Sequence, residues 1–346
     1  RNSIIGGAES TGVYASELGN KSLTWETTSE FNIGVDFGMF NNRFKLSAEY
    51  FNRRITDLLV TNKPLPFYNE VNKIAGNVGS TQSQGVEITV NTVNIVTNDF
   101  EWDTTLTLSH YNDRWLKRDP NWKPRAYEKE NDPIRAWWEY EAIGILQPGE
   151  KAPEAQKDLV PGMMKLKDQD GNGVLGDEDK VYMGNGDPKI IYGLNNSFRY
   201  KNFDLSIFFQ GSYGNDIWNG VRVSHEGMES TYNQFTSTLN RWNGEGSSNT
   251  MPRAIYADPN RNNRASTRWV EDGSYLRLKN LTFGYRFTQD WLKKIGAKSL
   301  RLYLSFDNLW TLTNYSGLDP EVGLWGLDYG IYPTSRVYMF GASVKF

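Results

Sequence analysis

One short stretch places oxygen-bearing side chains at a spacing that could bind a metal: Asp168-Gln169-Asp170-Gly171-Asn172-Gly173-Val174, ending at Asp179. Set against the twelve-residue calcium loop, Asp168, Asp170, Asn172 and Asp179 fall at positions 1, 3, 5 and 12, with Gly173 at position 6. A hard cation takes roughly six to eight oxygens at short distance, and a glycine at the sixth position allows the sharp turn that converges them. The Val174 carbonyl would supply position 7. Position 12 is Asp rather than the bidentate Glu, and no flanking helices are evident. Two readings follow: a Ca2+ site, with Mg2+ as the alternative ion, that stiffens a loop; or an Asp/Gly-rich turn with no ion.

Other chemistry is sparse. The two histidines, His110 and His225, have no zinc-like spacing. No glycine-rich phosphate loop follows a strand, and no Gly-x-Ser-x-Gly elbow is present. Carboxylates are plentiful, yet nothing marks two of them as a glycosidase pair. The sequence therefore predicts a protein that is not an enzyme. Trp137, Trp138 and Tyr140 form an aromatic cluster in a polar stretch. Such a cluster either lines a substrate cavity or partner surface, or packs the loop onto itself.

The elements that carry these residues are short segments alternating every second position. Phe31, Ile33, Val35 and Phe37 alternate with Asn32, Gly34 and Asp36; Phe44, Leu46, Ala48 and Tyr50 follow after Asn41-Asn42. The pattern returns at 86–90, 102–108, 203–209, 281–285, 300–306 and 338–346. Period-two alternation predicts strands with one apolar and one polar face. No run of 18 or more apolar residues exists, so a spanning helix is excluded, whereas a transmembrane strand needs only about 10 alternating residues. The 12 Trp, 19 Tyr and 17 Phe, in a chain of negative mean hydropathy, suit the aromatic girdles of a membrane barrel. They suit an aromatic-rich carbohydrate-binding sandwich equally well. With 38 basic and 41 acidic residues there is no basic stripe for nucleic acid, and with no cysteine there is no disulfide framework.

Connection lengths separate these two architectures. Short turns near 40–43, 97–100 and 200–203 alternate with long polar loops over roughly 61–82, 113–187, 219–273 and 314–333. That asymmetry belongs to an outer-membrane barrel whose long loops face outside. A short helical piece is expected over 289–296. The count is about nine strands, whereas bacterial single-chain barrels have an even number, so further strands are expected to complete the closure. The chain begins at Arg1 without a charged-then-apolar leader, consistent with a removed signal or a longer protein. Phe346 ends a terminal amphipathic strand with Tyr338 and Phe340, and this resembles the signal read by the barrel-assembly machinery. The plainer reading is a domain that ends on a strand.

Several segments together resemble the SusC/RagA-like TonB-dependent outer-membrane transporters. They are Gly19–Thr28 with Asn32–Phe37, Asn77–Gly79 leading to Gly85–Glu87, and Met183–Pro188 with Tyr192-Gly193 just after the Asp/Gly loop. Tyr200–Leu205, Tyr275–Thr282, Asp307–Leu309, Tyr332-Pro333 and Arg336 continue the match, which spans nearly the whole chain. The resemblance implies an all-β fold: residues 1–346 as about nine C-terminal strands of a 22-stranded transmembrane antiparallel barrel, with 113–187 and 219–273 as long extracellular loops. The plug, the TonB box and the first strands have no counterpart in the sequence. It further implies an integral outer-membrane protein that imports an oligosaccharide or peptide, works with a SusD-like lipoprotein, and is driven by TonB through the plug. The alternative is a calcium-stabilised surface carbohydrate-binding β protein.

Overall fold

A computed structural model describes residues 2–5, 8–11, 18–64 and 73–346. Nine long strands make one antiparallel sheet: β1 (Thr27–Met39), β2 (Phe44–Thr56), β3 (Ser80–Val96), β4 (Phe100–Lys117), β5 (Ile190–Tyr200), β6 (Phe203–Tyr213), β7 (Tyr275–Phe287), β8 (Ser299–Thr313) and β9 (Val337–Lys345). Each pairs with its neighbours in sequence, so the sheet is a continuous meander. Among the described residues β1 pairs only with β2, and β9 only with β8.

The turns at one end are short because their residues accept the required backbone. Phe40, Asn41 and Asn42 all have positive φ, and asparagine tolerates that region better than most side chains. Thr97 closes the next turn by accepting the Phe100 N–H on its hydroxyl at 2.9 Å. The connection from β7 to β8 contains the expected short helical piece, a 3-10 turn over Asp290–Ile295. At the other end, the chain makes the excursions 118–189, 214–274 and 314–336. β4 runs to Lys117, past the polar start of the loop anticipated from 113, because its ladder with β3 continues to Ser80.

Directly opposed residues of an antiparallel ladder share a face. Leu46, Val90, Leu106, Leu194 and Phe209 therefore form one apolar row across five strands. Asp103, Ser197, Ser206, Thr282 and Ser305 form a polar row on the opposite face. On the polar face side chains bond to one another, as in Thr105 Oγ1 to Asn91 Oδ1 at 2.8 Å and Asn280 Nδ2 to Asp307 Oδ1 at 2.7 Å. The apolar face is bare: Phe31 is 60 % exposed and Phe340 71 %. An uncovered apolar face of this extent requires an apolar medium. Strands of nine to eighteen residues suffice to cross a bilayer core.

One irregularity keeps the faces sorted. Phe208 and Phe209 oppose Asn280 and Leu278, so Lys279 is an extra residue in β7. Without this bulge, strict alternation outward from Leu281 would carry Arg277 to the apolar face. With it, Leu278 aligns with Phe209, and Arg277 aligns with Gln210 on the polar face. The sheet encloses no core of its own. The buried clusters lie in the long loops: Ile145 with Met164 and Leu166, Leu146 with Leu159 and Met163, and Ile217 with Tyr315 and Val322.

These facings predict opposite outcomes for two single-residue deletions in the intact protein. Deleting Lys279 removes the bulge against β6 and keeps Leu278 out and Arg277 in, with the existing irregularity at 308–309 of β8 absorbing the change, so heat-modifiable gel mobility of the assembled sheet should persist. Deleting Ser197 inverts half of β5, and the folded band should be lost. Equal behaviour of the two would contradict the assignment.

Candidate functional site

The Asp/Gly stretch folds into a compact turn sequence on the β4–β5 excursion. Asp168 accepts the backbone N–H of Gly171 at 2.7 Å and of Gly173 at 2.9 Å. Asp170 accepts the N–H of Asn172 at 3.0 Å, and Asn172 Oδ1 accepts that of Val174 at 2.8 Å. Gly171 and Gly173 adopt φ of 73° and 80°, which side chains with a Cβ rarely accept. The chain then returns through a 3-10 turn (Asp177–Asp179). Asp179, fully buried, accepts N–H groups from Gln169 and Gly176, both at 2.7 Å.

This folding brings carboxylate oxygens of Asp168, Asp170 and Asp179 within 4.8 Å of one another. The Asn172 side chain and the Val174 backbone belong to the same turn. All are hard oxygen donors, the set that Ca2+ or Mg2+ takes. The N–H of Gly173, chief among several backbone donors, holds the Asp168 carboxyl below the usual carboxylate range. The same hydrogen bonds would hold the turn without an ion.

The aromatic cluster packs within the loop layer, and one of its members also faces a cavity. Trp137, Trp138 and Tyr140 lie on a short strand (Ala136–Tyr140) paired with Lys180–Asn185, and all three are half-buried. Trp138 stacks on Tyr127 with centroids 5.6 Å apart and meets Tyr182 edge-on at 5.5 Å. Trp137 packs against Gly326. Tyr140 has Lys180 and Arg264 over its ring, at 5.7 and 5.6 Å, and lines a cavity with the segments around 157 and 261. The histidines serve structure. His110 Nδ1 is 2.5 Å from the Lys189 carbonyl oxygen, and His225 stacks on Phe235. Tyr338 and Phe340 are exposed on the apolar side of the β9 edge, and Phe346, just past the strand, is exposed too.

Three arginine-centred networks went unnoticed in the sequence, because apart from the i,i+4 pair Arg222–Glu226 their members are 22 to 52 residues apart. Arg135 joins Asp113 and Asp187, at 2.7 and 2.6 Å, tying the end of β4 to the approach to β5. Arg222 sits on the helix α1 (Gly220–Glu226), capped by Asn219, and binds Glu226 at 2.8 Å and Glu271 at 2.9 Å. Arg277, 3 % exposed, joins Asp319 at 2.5 Å and Glu321 at 2.8 Å, anchoring the β8–β9 excursion to the polar face of β7. Short strands link the excursions as well. Asp216–Asn219 pairs with Val270–Asp272 and, in parallel, with Leu327–Asp328. The long-loop end is therefore one packed layer.

With this geometry in place, the comparisons with known proteins give the class. A family model described as "TonB dependent receptor-like, beta-barrel" matches residues 2–309. The chain belongs to this family of TonB-dependent outer-membrane receptors, and within it is SusC/RagA-like. It is 33 % identical to TonB-dependent receptor P3 of Formosa agariphila over 99 % of its length, and 27 % identical to TonB-dependent receptor SusC of Bacteroides thetaiotaomicron over 94 %. It covers 36 % and 32 % of those two proteins, so the chain spans about a third of the curated relatives it matches. Its fold matches a solved structure of the RagAB peptide transporter with a TM-score of 0.79 at 23 % identity, over 100 % of this chain and 38 % of that one. The family is one of transporters, not enzymes.

The buried Arg277 network makes a specific prediction. Arg277→Met leaves Asp319 buried without its cation, a loss of roughly 3–5 kcal/mol. Protease cleavage within 314–336 of the membrane-inserted receptor should rise, and Arg277→Met/Asp319→Leu should recover part of the protection. An unchanged cleavage rate in the single variant would refute the anchoring role.

Proposed function

We propose that this chain is part of an integral outer-membrane active importer of oligomeric nutrients, a glycan or a peptide. The observation that carries this reading is the meander itself, with one bare apolar face, one hydrogen-bonded polar face, and a packed loop layer at one end only. Further barrel strands and a plug would complete the polar lumen, and TonB would drive import through that plug. The relatives support the same reading: one is named SusC, and the matching fold is that of a peptide transporter called RagAB. The excursions 118–189 and 214–274 are the surfaces for a SusD-like lipoprotein and for the upper part of the cargo cavity, Trp137, Trp138 and Tyr140 included. Tyr338, Phe340 and Phe346 are assigned to the barrel-assembly signal. The rival reading, a calcium-stabilised carbohydrate-binding protein at the surface, would leave the apolar face in water.

Residues 220–269 can be excised with the flanking pair Trp218 and Val270 retained, although Trp242, Ile255 and Asn262 then no longer pack on 118–189. In the full-length receptor this excision should leave membrane insertion intact and abolish co-purification of the lipoprotein. Undiminished co-purification would sink the partner assignment.

Asp168, Asp170, Asn172, Val174 and Asp179 are proposed to hold Ca2+, with Mg2+ as the weaker substitute, and the ion's role is to stiffen the β4–β5 excursion. Calcium should then protect 118–189 from protease relative to EDTA, and Asp168→Asn with Asp170→Asn should remove that protection without preventing assembly. Because folding lowers the Asp168 pKa, its contribution is present above the ordinary carboxylate value of about 3.9 and fades as pH falls through the lower folded value. Identical cleavage in calcium and EDTA would exclude the site.

A further inference from the structure

The loop layer contains a cavity of about 680 Å3 between residues 155–175 of one excursion and 259–264 of the next. That is the size of a small-molecule site. Its wall carries three cations, Lys157, Arg261 and Arg264, against one carboxylate, Asp158. Lys157 reaches Glu154 at 3.7 Å, but both side chains are at least 72 % exposed, where an ion pair contributes little. Among the described residues, neither Arg261 nor Arg264 makes an ion pair with a carboxylate. Arg264 Nε and Nη2 donate long hydrogen bonds, both 3.3 Å, to the carbonyls of Arg261 and Asn260, leaving Nη1 without a protein acceptor. Burial first, and then the neighbouring Arg261, push the Arg264 guanidinium below its ordinary pKa. Asp258 and Glu139 offset part of this, but neither is within ion-pairing distance, so the half-buried guanidinium beside a second one has charge left for an anion in the cavity.

We propose that this cavity is an anionic-sugar subsite, receiving the carboxylate or sulfate ester of an acidic oligosaccharide cargo. The assignment rests on the import reading above and narrows its substrate class. A guanidinium fork matches the oxygens of either group. Arginine clusters also take acidic peptide motifs, so an acidic peptide is the competing occupant, although strand addition is not open to it here. The wall's one strand residue, Tyr140, is already bridged to Lys180 on one side and Ser266 on the other.

The test is calorimetry on the full-length receptor with oligogalacturonate, a chemically sulfated malto-oligosaccharide, the neutral malto-oligosaccharide of equal length, and poly-glutamate. The acidic sugars should bind, and their affinity should fall at least about tenfold between roughly 0.05 and 0.5 M NaCl. Lys157→Gln with Arg261→Asn, both at exposed positions, should cost about another tenfold, and Arg264→Lys should lose less than Arg264→Gln. Equal binding of acidic and neutral sugars by wild type and variants would overturn the proposal, as would binding of poly-glutamate alone. TonB-dependent uptake of the same oligomers, measured in parallel, separates the two claims. Uptake of neutral sugar with no acidic-sugar binding defeats the subsite and leaves import standing. Acidic-sugar binding lost in the cavity variants, but with no TonB-dependent uptake of any oligomer, does the reverse.

Discussion

A backbone in contact with hydrocarbon must satisfy its own N–H and C=O groups, and a single antiparallel ladder meets that demand for the seven inner strands, with β1 and β9 paired on one side among the described residues. Everything else follows from its two-residue repeat. Because opposed residues share a face, one choice of register sorts Leu46, Val90, Leu106, Leu194 and Phe209 to one side. The same choice sorts Asp103, Ser197, Ser206, Thr282 and Ser305 to the other. A slip of one position would exchange the two sets. The bulge at Lys279 shows how narrow the tolerance is: one extra residue is accommodated locally, and Arg277 stays on the polar face.

Among the described residues the sheet buries neither face against a second layer, and the apolar clusters lie apart from it, in the loops. The buried residues of the described chain concentrate in the outer excursions, held by three small apolar clusters and three arginine-centred networks. Buried ion pairs add little net stability over apolar packing, but a broken one is costly, so they favour one arrangement of the loops over others. Arg135, Arg222 and Arg277 each tie an excursion to a strand or to another part of the loop layer. The Asp/Gly turn projects from this layer, with Asp179 buried at its base and Val174 63 % exposed at its rim. Ligand-contacting segments on a rigid outer platform are the usual arrangement for recognition by loops.

Part of this was legible before any coordinates. Alternation at Phe31–Phe37 and Tyr338–Phe346 located strands because apolar side chains on a half-covered sheet must recur every second residue. The 3-10 turn near 290 and the short turns at 41 and 97 were visible in turn-forming residue types. The spacing of Asp168, Asp170 and Asp179 was equally local, since a twelve-residue loop needs no tertiary information to propose its ligands. Polarity misplaced the start of the β4–β5 loop, because Asn112, Asp113 and Arg114 read as loop residues while the ladder continues through them to Lys117.

The sequence by itself determined the period, the two faces and the family, because each is carried by neighbouring residues or by their order along the chain. Tertiary structure alone decided which distant charges meet. Arg277 finds Asp319 across 42 residues, and Arg135 finds Asp187 across 52. Tertiary structure also packed Trp138 against Tyr127 and Tyr182 and Trp137 against Gly326, and gathered Lys157, Arg261 and Arg264 around one cavity. The physical reason is the same in each case. A strand pattern is set by local periodicity, whereas a cavity or an ion pair exists only when loop closure brings separate segments to the same place.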